Sequence, residues 1–336
     1  MPLVLNAADP TAIEAAALRL AAGGLVGMPT ETVYGLAADA GNASAVRGIF
    51  EAKGRPSDHP LIVHLPPAEG GNWRAAVAPL ARDVPDFALR LMQAFWPGPL
   101  TLILPRRPEV AAVAAGGQDS VGLRCPSHPV AQALLAAARA HGVHGVAAPS
   151  ANRFGRVSPT TAAHVAEEFA ALSDDALLVL DGGACPVGIE STIVDCSRGQ
   201  PVLLRPGMIT PAQLAAACGL PMRERDEAAP RASGTLESHY APSVPVRLME
   251  AKPLQAALDV LGADAKHIAV YARVPLKAAR GVTLRRMPDD PALAAQELFA
   301  VLRELDGSGV RLIWVETPPE GAAWDGVRDR LQRAAA

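Results

Sequence analysis

Lys53 and Arg55 stand two residues apart in Lys53-Gly54-Arg55-Pro56-Ser57-Asp58-His59-Pro60, between a helical pattern and an apolar run. Lysine meets phosphate oxygens as a compact point charge and arginine as a planar fork, so the pair suits a polyphosphate gripped from two directions. Composition sharpens the point: 31 Lys and Arg residues include four lysines, Lys53, Lys252, Lys266 and Lys277. On these residues alone a solvated helix end, with cations near the C-terminal dipole, is an equal reading.

Four more segments keep polar groups where apolar runs end, the place where open α/β sheets bind ligands. Pro29-Thr30-Glu31-Thr32-Val33-Tyr34-Gly35 offers hydroxyls that could hold a small polar ligand or close a turn. Ser120-Val121-Gly122-Leu123-Arg124 ends an apolar run on an arginine, fit to fork a carboxylate or to close a salt bridge. The stretch from Ala148 through Ser150, Asn152 and Ser158 to Thr160 gathers hydroxyls, an amide and Gly155, so its backbone could approach phosphates closely. Ser158 or Thr160 could instead cap the next helix. Glu190-Ser191-Thr192 and Leu204-Arg205-Pro206 add another hydroxyl and another cation. His59 and His64 lie beside the Lys53 segment, where a lone histidine is more often packed than ligating. G-x-x-x-x-G-K-[ST], G-x-G-x-x-G, G-x-S-x-G and H-E-x-x-H are missing, and His141 and His144 fall across glycines, so no metal is expected on protein side chains.

The elements that must position these groups alternate from the start. Strands are predicted over 25–28, 61–65, 100–104, 121–124, 145–148, 177–180, 192–195 and 202–204, and helices from a Ser44 cap to 52, then over 81–95, 129–140 and 161–169. The last strands follow one another without helices, which predicts an α/β fold with a mixed sheet. Periodicity fades from 219 to 245, and a smaller αβ unit follows with strands at 246–249, 268–271 and 311–316. The expected division is 1–208, a linker over 209–244, and 245–336. A chain of 336 residues is long enough for two domains, and half of it is hydrophobic with 4% aromatic.

Net charge is −3, and residues 1–208 alone hold 15 Lys and Arg against 18 Asp and Glu, poor material for a general nucleic-acid binder. Cys125, Cys185, Cys196 and Cys218 are scattered, as reduced thiols would be. With no signal-like start and no run of about 20 apolar residues, a soluble cytoplasmic protein is expected, without a membrane partner.

Taken in order, PTETVYGL, KGRPSDHPLIVH, FWPGPLTLIL, VGLRCP, APSANRFGRVSPT, GIESTIVD and LRPG resemble the whole YrdC/Sua5 domain over residues 1–208. Ser238-His239-Tyr240-Ala241-Pro242 and the smaller unit resemble the longer, two-domain Sua5 form. The resemblance implies a twisted mixed-sheet YrdC-like domain and a Rossmann-like second domain. It implies a nucleotidyltransferase that joins L-threonine, bicarbonate and ATP, with Mg2+, into L-threonylcarbamoyladenylate and releases pyrophosphate. The product would pass to the t6A transferase machinery that modifies position 37 of tRNA, which leaves room for weak contact with tRNA. By the same resemblance Lys53, Arg55, Ser150 and Asn152 form the catalytic cluster. Arg55, His59, Ser120, Ser150, Ser158, Arg205 and Tyr240 contact ATP, with Tyr240 on a linker lid. Thr32, His64, Arg124, Ala148 and Ser191 surround threonine.

Overall fold

The computed structural model describes residues 1–236 and 238–336; position 237, inside the expected linker, lies outside them. The chain forms two compact units, one of Met1–Phe154 with Ser158–Thr235 and one of Gly155–Val157 with Leu236–Ala336.

In chain order the first unit opens with β1 (Leu3–Asn6), α1 (Pro10–Ala21), β2 (Leu25–Met28), β3 (Gly35–Asp39), α2 (Ala43–Lys53) and β4 (Ile62–His64). It continues with α3 (Trp73–Val77), α4 (Asp86–Phe95), β5 (Leu100–Pro105), β6 (Ser120–Arg124), α5 (Pro129–Ala140) and β7 (Val146–Ala147). It closes with α6 (Ala162–Glu168), β8 (Leu177–Asp181), β9 (Thr192–Asp195), β10 (Val202–Arg205) and α7 (Pro211–Cys218). The strands form one ten-stranded sheet in the order β1-β8-β2-β3-β7-β4-β6-β5-β9-β10. Pairs β1/β8, β2/β8, β4/β6 and β5/β9 are parallel and the others antiparallel, the mixed sheet that the sequence predicts.

Both faces of this sheet are covered, which explains why its strands read as continuous apolar runs. Along β8, Leu178 and Leu180 pack with α1 and α5 residues such as Leu20 and Leu134. Leu177 and Val179 point to the other face, among Ile49, Leu91 and Leu102. Each such side chain contributes about 1.5–3 kcal/mol through burial. Ile209, Leu214 and Cys218 belong to this second core as well, so the core draws on residues beyond 208.

Local chemistry shifts several boundaries. The helix read from a Ser44 cap is capped by Asn42, whose side chain accepts the Ser44 and Ala45 N–H groups. The helix read over 81–95 begins at Asp86 after Pro85, because Ala81 is bridged to Arg106 and Asp83 has a φ of 50°. α7 forms in the stretch read as linker, where Thr210 and Gln213 make a reciprocal capping box. α2 ends at Lys53 because Gly54 takes a left-handed φ of 61°, which glycine adopts without strain.

The second unit holds β11 (Val246–Met249), α8 (Ala251–Leu261), β12 (Ile268–Ala272), β13 (Thr283–Arg286), α9 (Pro291–Asp306), β14 (Leu312–Glu316) and α10 (Asp325–Ala334). Its four strands are parallel in the order β11-β14-β12-β13. No helix among the described residues is long and apolar enough to cross a membrane.

The Asn42 cap fixes the start of the helix that delivers Lys53. Asn42→Ala should lower unfolding free energy by about 1 kcal/mol, read as a shift of the urea midpoint. An unchanged midpoint would mean that the cap does not hold the helix.

Candidate active site

Three polar clusters form at the ends of the first unit's strands and in the loops they launch. The first grows from the parallel pair β4 and β6, whose register sets His64 beside Arg124. Arg124 is 4% exposed; Nε and Nη1 are hydrogen-bonded, and Nη2 makes an ion pair without a hydrogen bond of good geometry. Nε donates to the Gly98 carbonyl at 3.3 Å, Nη1 donates to Thr32 Oγ1 at 2.8 Å, and Nη2 lies 2.7 Å from Glu31 Oε1. The Thr30 hydroxyl donates to the Val33 carbonyl and sits 2.8 Å from the Thr32 hydroxyl, closing the turn that presents both. His64 is buried and its Nδ1 has no partner among the described residues. Burial first, and the Arg124 charge second, lower its pKa from 6.5 to about 3, so the imidazole is neutral.

The second cluster surrounds Lys53, 3% exposed at the end of α2. Its Nζ donates to the Ser150 carbonyl at 2.6 Å and also to the Asn152 carbonyl. Burial pushes its pKa well below the ordinary lysine range, the Arg55 charge adds to the push, and Glu168 and Glu190 oppose it. Arg55 Nη2 donates to the Pro60 carbonyl at 3.1 Å and reaches Ser233 Oγ at 3.5 Å. Its guanidinium lies 5.7 Å from the Phe154 ring centre, and His59 packs edgewise on the same ring at 5.3 Å. Burial, then the Arg55 charge, lower the His59 pKa.

The third cluster sits where β9 and β10 meet. A bulge between Leu203 and Arg205 re-aims the strand end. Arg205, 2% exposed, donates to the Ser191 carbonyl at 2.9 Å and to its hydroxyl at 3.2 Å. The Ser191 hydroxyl is 2.7 Å from that of Thr101 on β5. Arg205 Nη1 also donates to the Ser233 carbonyl at 2.8 Å, so Ser233 meets both Arg55 and Arg205. Ser158 donates to Glu190, next to Ser191.

Backbone bonds stitch the clusters together. Tyr34 N–H donates to the Pro159 carbonyl, Ala151 N–H donates to the Tyr34 carbonyl, and Gly35 bridges to Ser150. A Cβ on Gly35 would lie 3.0 Å from that of Ala148, so glycine permits this approach. Ala148 is itself buried, its N–H bonded to the Ile62 carbonyl.

Ser120 opens β6, at the opposite end of that strand from Arg124, about 13 Å away at an extended rise. It borders a cavity of about 10 Å³ shared with Pro60, Ile62, Thr101, Ala232 and Ser233. That volume admits one water at most. Tyr240 lies in the second unit, with a φ of 62°; its ring packs 5.4 Å from that of Phe299 and 5.4 Å from the Arg330 guanidinium.

Four residues in these clusters were not singled out from sequence: Glu31, Thr101, Glu190 and Ser233. Glu31 stands between two threonines and Glu190 before a serine, each beside an apolar run, a pattern that also reads as a turn. Thr101 lies within a strand and Ser233 within the presumed linker, where nothing marks them.

Because the folded His64 resists protonation until about pH 3 and the unfolded imidazole titrates near 6.5, acid protonates the unfolded chain first. Its contribution is complete above pH 6.5 and is lost as pH falls toward 3. The urea midpoint of the wild type should therefore fall between pH 7 and pH 4.5 more steeply than that of His64→Gln. Parallel curves would rule out a buried neutral imidazole.

Comparison with known proteins shows the family to which the chain belongs. A family model described as "Telomere recombination" (Sua5_yciO_yrdC) matches residues 19–207. A second, described as "Threonylcarbamoyl-AMP synthase, C-terminal domain", matches residues 209–336. A threonylcarbamoyl-AMP synthase of Pyrococcus abyssi is 35% identical over 99% of this chain and 98% of its own length. One of Bacillus subtilis is 36% identical over 98% of this chain and 94% of its own. The structure of P. abyssi Sua5 complexed with L-threonine superposes with a TM-score of 0.85 at 34% identity, covering 100% of this chain and 97% of that one. The chain thus belongs to the Sua5 family in its two-domain form.

Proposed function

We propose that this chain synthesises L-threonylcarbamoyladenylate from L-threonine, bicarbonate and ATP, releasing pyrophosphate, and that its product feeds threonylcarbamoyladenosine (t6A) formation at tRNA position 37. The observation that carries the reading is the set of four buried cations, Lys53, Arg55, Arg124 and Arg205, each 2–7% exposed and linked through neighbouring loops. Relatives of nearly full length named threonylcarbamoyl-AMP synthase support the same chemistry. Four buried free thiols suit a reducing cytoplasm.

On this reading the threonine carboxylate meets Arg124, while Thr32, His64, Ser191 and the backbone around Ala148 surround the rest. Arg55, His59, Ser120, Ser150, Ser158 and Arg205 face the nucleotide. The threonine amine is first carboxylated, and the resulting carbamate oxygen attacks the α-phosphorus in line with departing pyrophosphate. Positioning and charge neutralisation supply most of the rate, as in other displacements at phosphorus. The lowered pKa of Lys53 is part of this device. An approaching triphosphate favours the charged ammonium that burial disfavours, so the interaction strengthens as negative charge develops on the leaving group. Mg2+ would accompany the triphosphate as its counter-ion and supply charge neutralisation there.

Incubating the purified chain with ATP, Mg2+, bicarbonate and labelled threonine should yield the adenylate by mass spectrometry. Lys53→Ala should slow pyrophosphate release roughly 10²-fold. Lys53→Arg should not restore it, because a planar fork does not fit two converging carbonyl oxygens. Near-normal release from Lys53→Ala would refute the assignment.

A further inference from the structure

Burying an ion pair is a weak way to stabilise a fold, because desolvating both ions offsets most of their attraction. Glu31 and Arg124 are nevertheless buried together, each 4% exposed, with Oε1 and Nη2 2.7 Å apart. The second Glu31 oxygen is pinned by the Ser127 N–H at 3.1 Å, which leaves Oε1 to the guanidinium. Next to this pair stand the Thr32 hydroxyl, bonded to Arg124, and the neutral His64 with its unpartnered Nδ1. A cation, an anion, a hydroxyl and a neutral imidazole thus converge on one place. They complement a hydroxyl-bearing α-amino acid, which carries a carboxylate, an ammonium and a donor of its own.

We propose that Glu31 is a specificity-determining residue that receives the α-ammonium of the amino acid. The internal Arg124–Glu31 pair re-partners into Arg124–carboxylate and Glu31–ammonium. This rests on the reading that the amino acid binds at Arg124. The exchange conserves charge: one buried neutral pair becomes two, and no net charge enters a low-dielectric site. A carboxylic acid without the amine would instead press its carboxylate against Glu31, with nothing to neutralise either. Glu31 thereby rejects simple anions by repulsion as well as selecting the zwitterion by attraction. Its neighbours do not compete for this role. Burial first, with the Glu31 charge adding to it, pushes the thiols of Cys125 and Cys185 up to about 12, so neither becomes a thiolate.

The test is calorimetric binding of L-threonine and of 3-hydroxybutyrate, the same skeleton without the amine, to the full chain. Wild type should bind threonine at least roughly 100-fold more tightly than the amine-free analogue. Glu31→Gln should weaken threonine roughly 10- to 100-fold without weakening 3-hydroxybutyrate, so that discrimination collapses. Glu31→Asp, which keeps the charge on a shorter stem, should recover part of the discrimination. It also carries the test alone if thermal unfolding shows that the glutamine variant is not folded. Equal weakening of both ligands in either variant would make Glu31 only a prop for Arg124 and overturn the proposal. Failure of the wild type to bind threonine would overturn the amino-acid reading as well, a distinct result.

Discussion

A buried positive charge must be surrounded by oxygen, and that constraint organises the first unit. Lys53, Arg55, Arg124 and Arg205 are all nearly inaccessible. Arg124 faces a carboxylate, whereas the bonds from Lys53 to Ser150 and Asn152, from Arg55 to Pro60, and from Arg205 to Ser191 and Ser233 end on carbonyl oxygens. A neutral carbonyl satisfies a donor hydrogen without cancelling the charge behind it. The loops therefore solvate these cations through the named bonds.

That arrangement needs carbonyl groups that no strand or helix consumes, and the mixed sheet supplies them. Short strands such as β4 and β7, of three and two residues, end early and release loops whose carbonyls turn toward side chains. The 148–154 loop is held on one side by Tyr34 and on the other by Lys53, whose own carbonyl accepts the Phe154 N–H. The cation and the loop thus fix each other, which is why a lysine at the end of a helix becomes fully buried.

Much of this was legible in sequence because it rests on local rules. Apolar runs such as 177–180 and 192–195 are strands with both faces covered, and Arg124 and Arg205 do fall at strand ends. What escaped depends on partners far along the chain. β1 is exposed at Leu3 and Val4 and is defined by its pairing with β8, more than 170 residues away. β13 is exposed along its length and forms only against β12. Asn42 displaced Ser44 as a cap because its side chain reaches two N–H groups at once. Glu31 was hidden for a different reason. An acid among threonines reads as a turn residue until the arginine beside it is known.

The charge pattern also gives the proposed reaction a direction. Around Arg124 the protein is balanced by Glu31, which matches an amino acid of no net charge. Around Lys53 and Arg55 their named bonds end on carbonyl and hydroxyl oxygens, which matches a triphosphate. Carboxylation removes the ammonium from threonine and leaves a second negative group in its place. The ligand that fitted beside Glu31 is then repelled by it. Its new charge is best satisfied toward the cations that hold the nucleotide, which is where the α-phosphorus lies on this reading. On this reading a balanced amino-acid end and the cations of the nucleotide end draw the carbamate toward the atom it must attack.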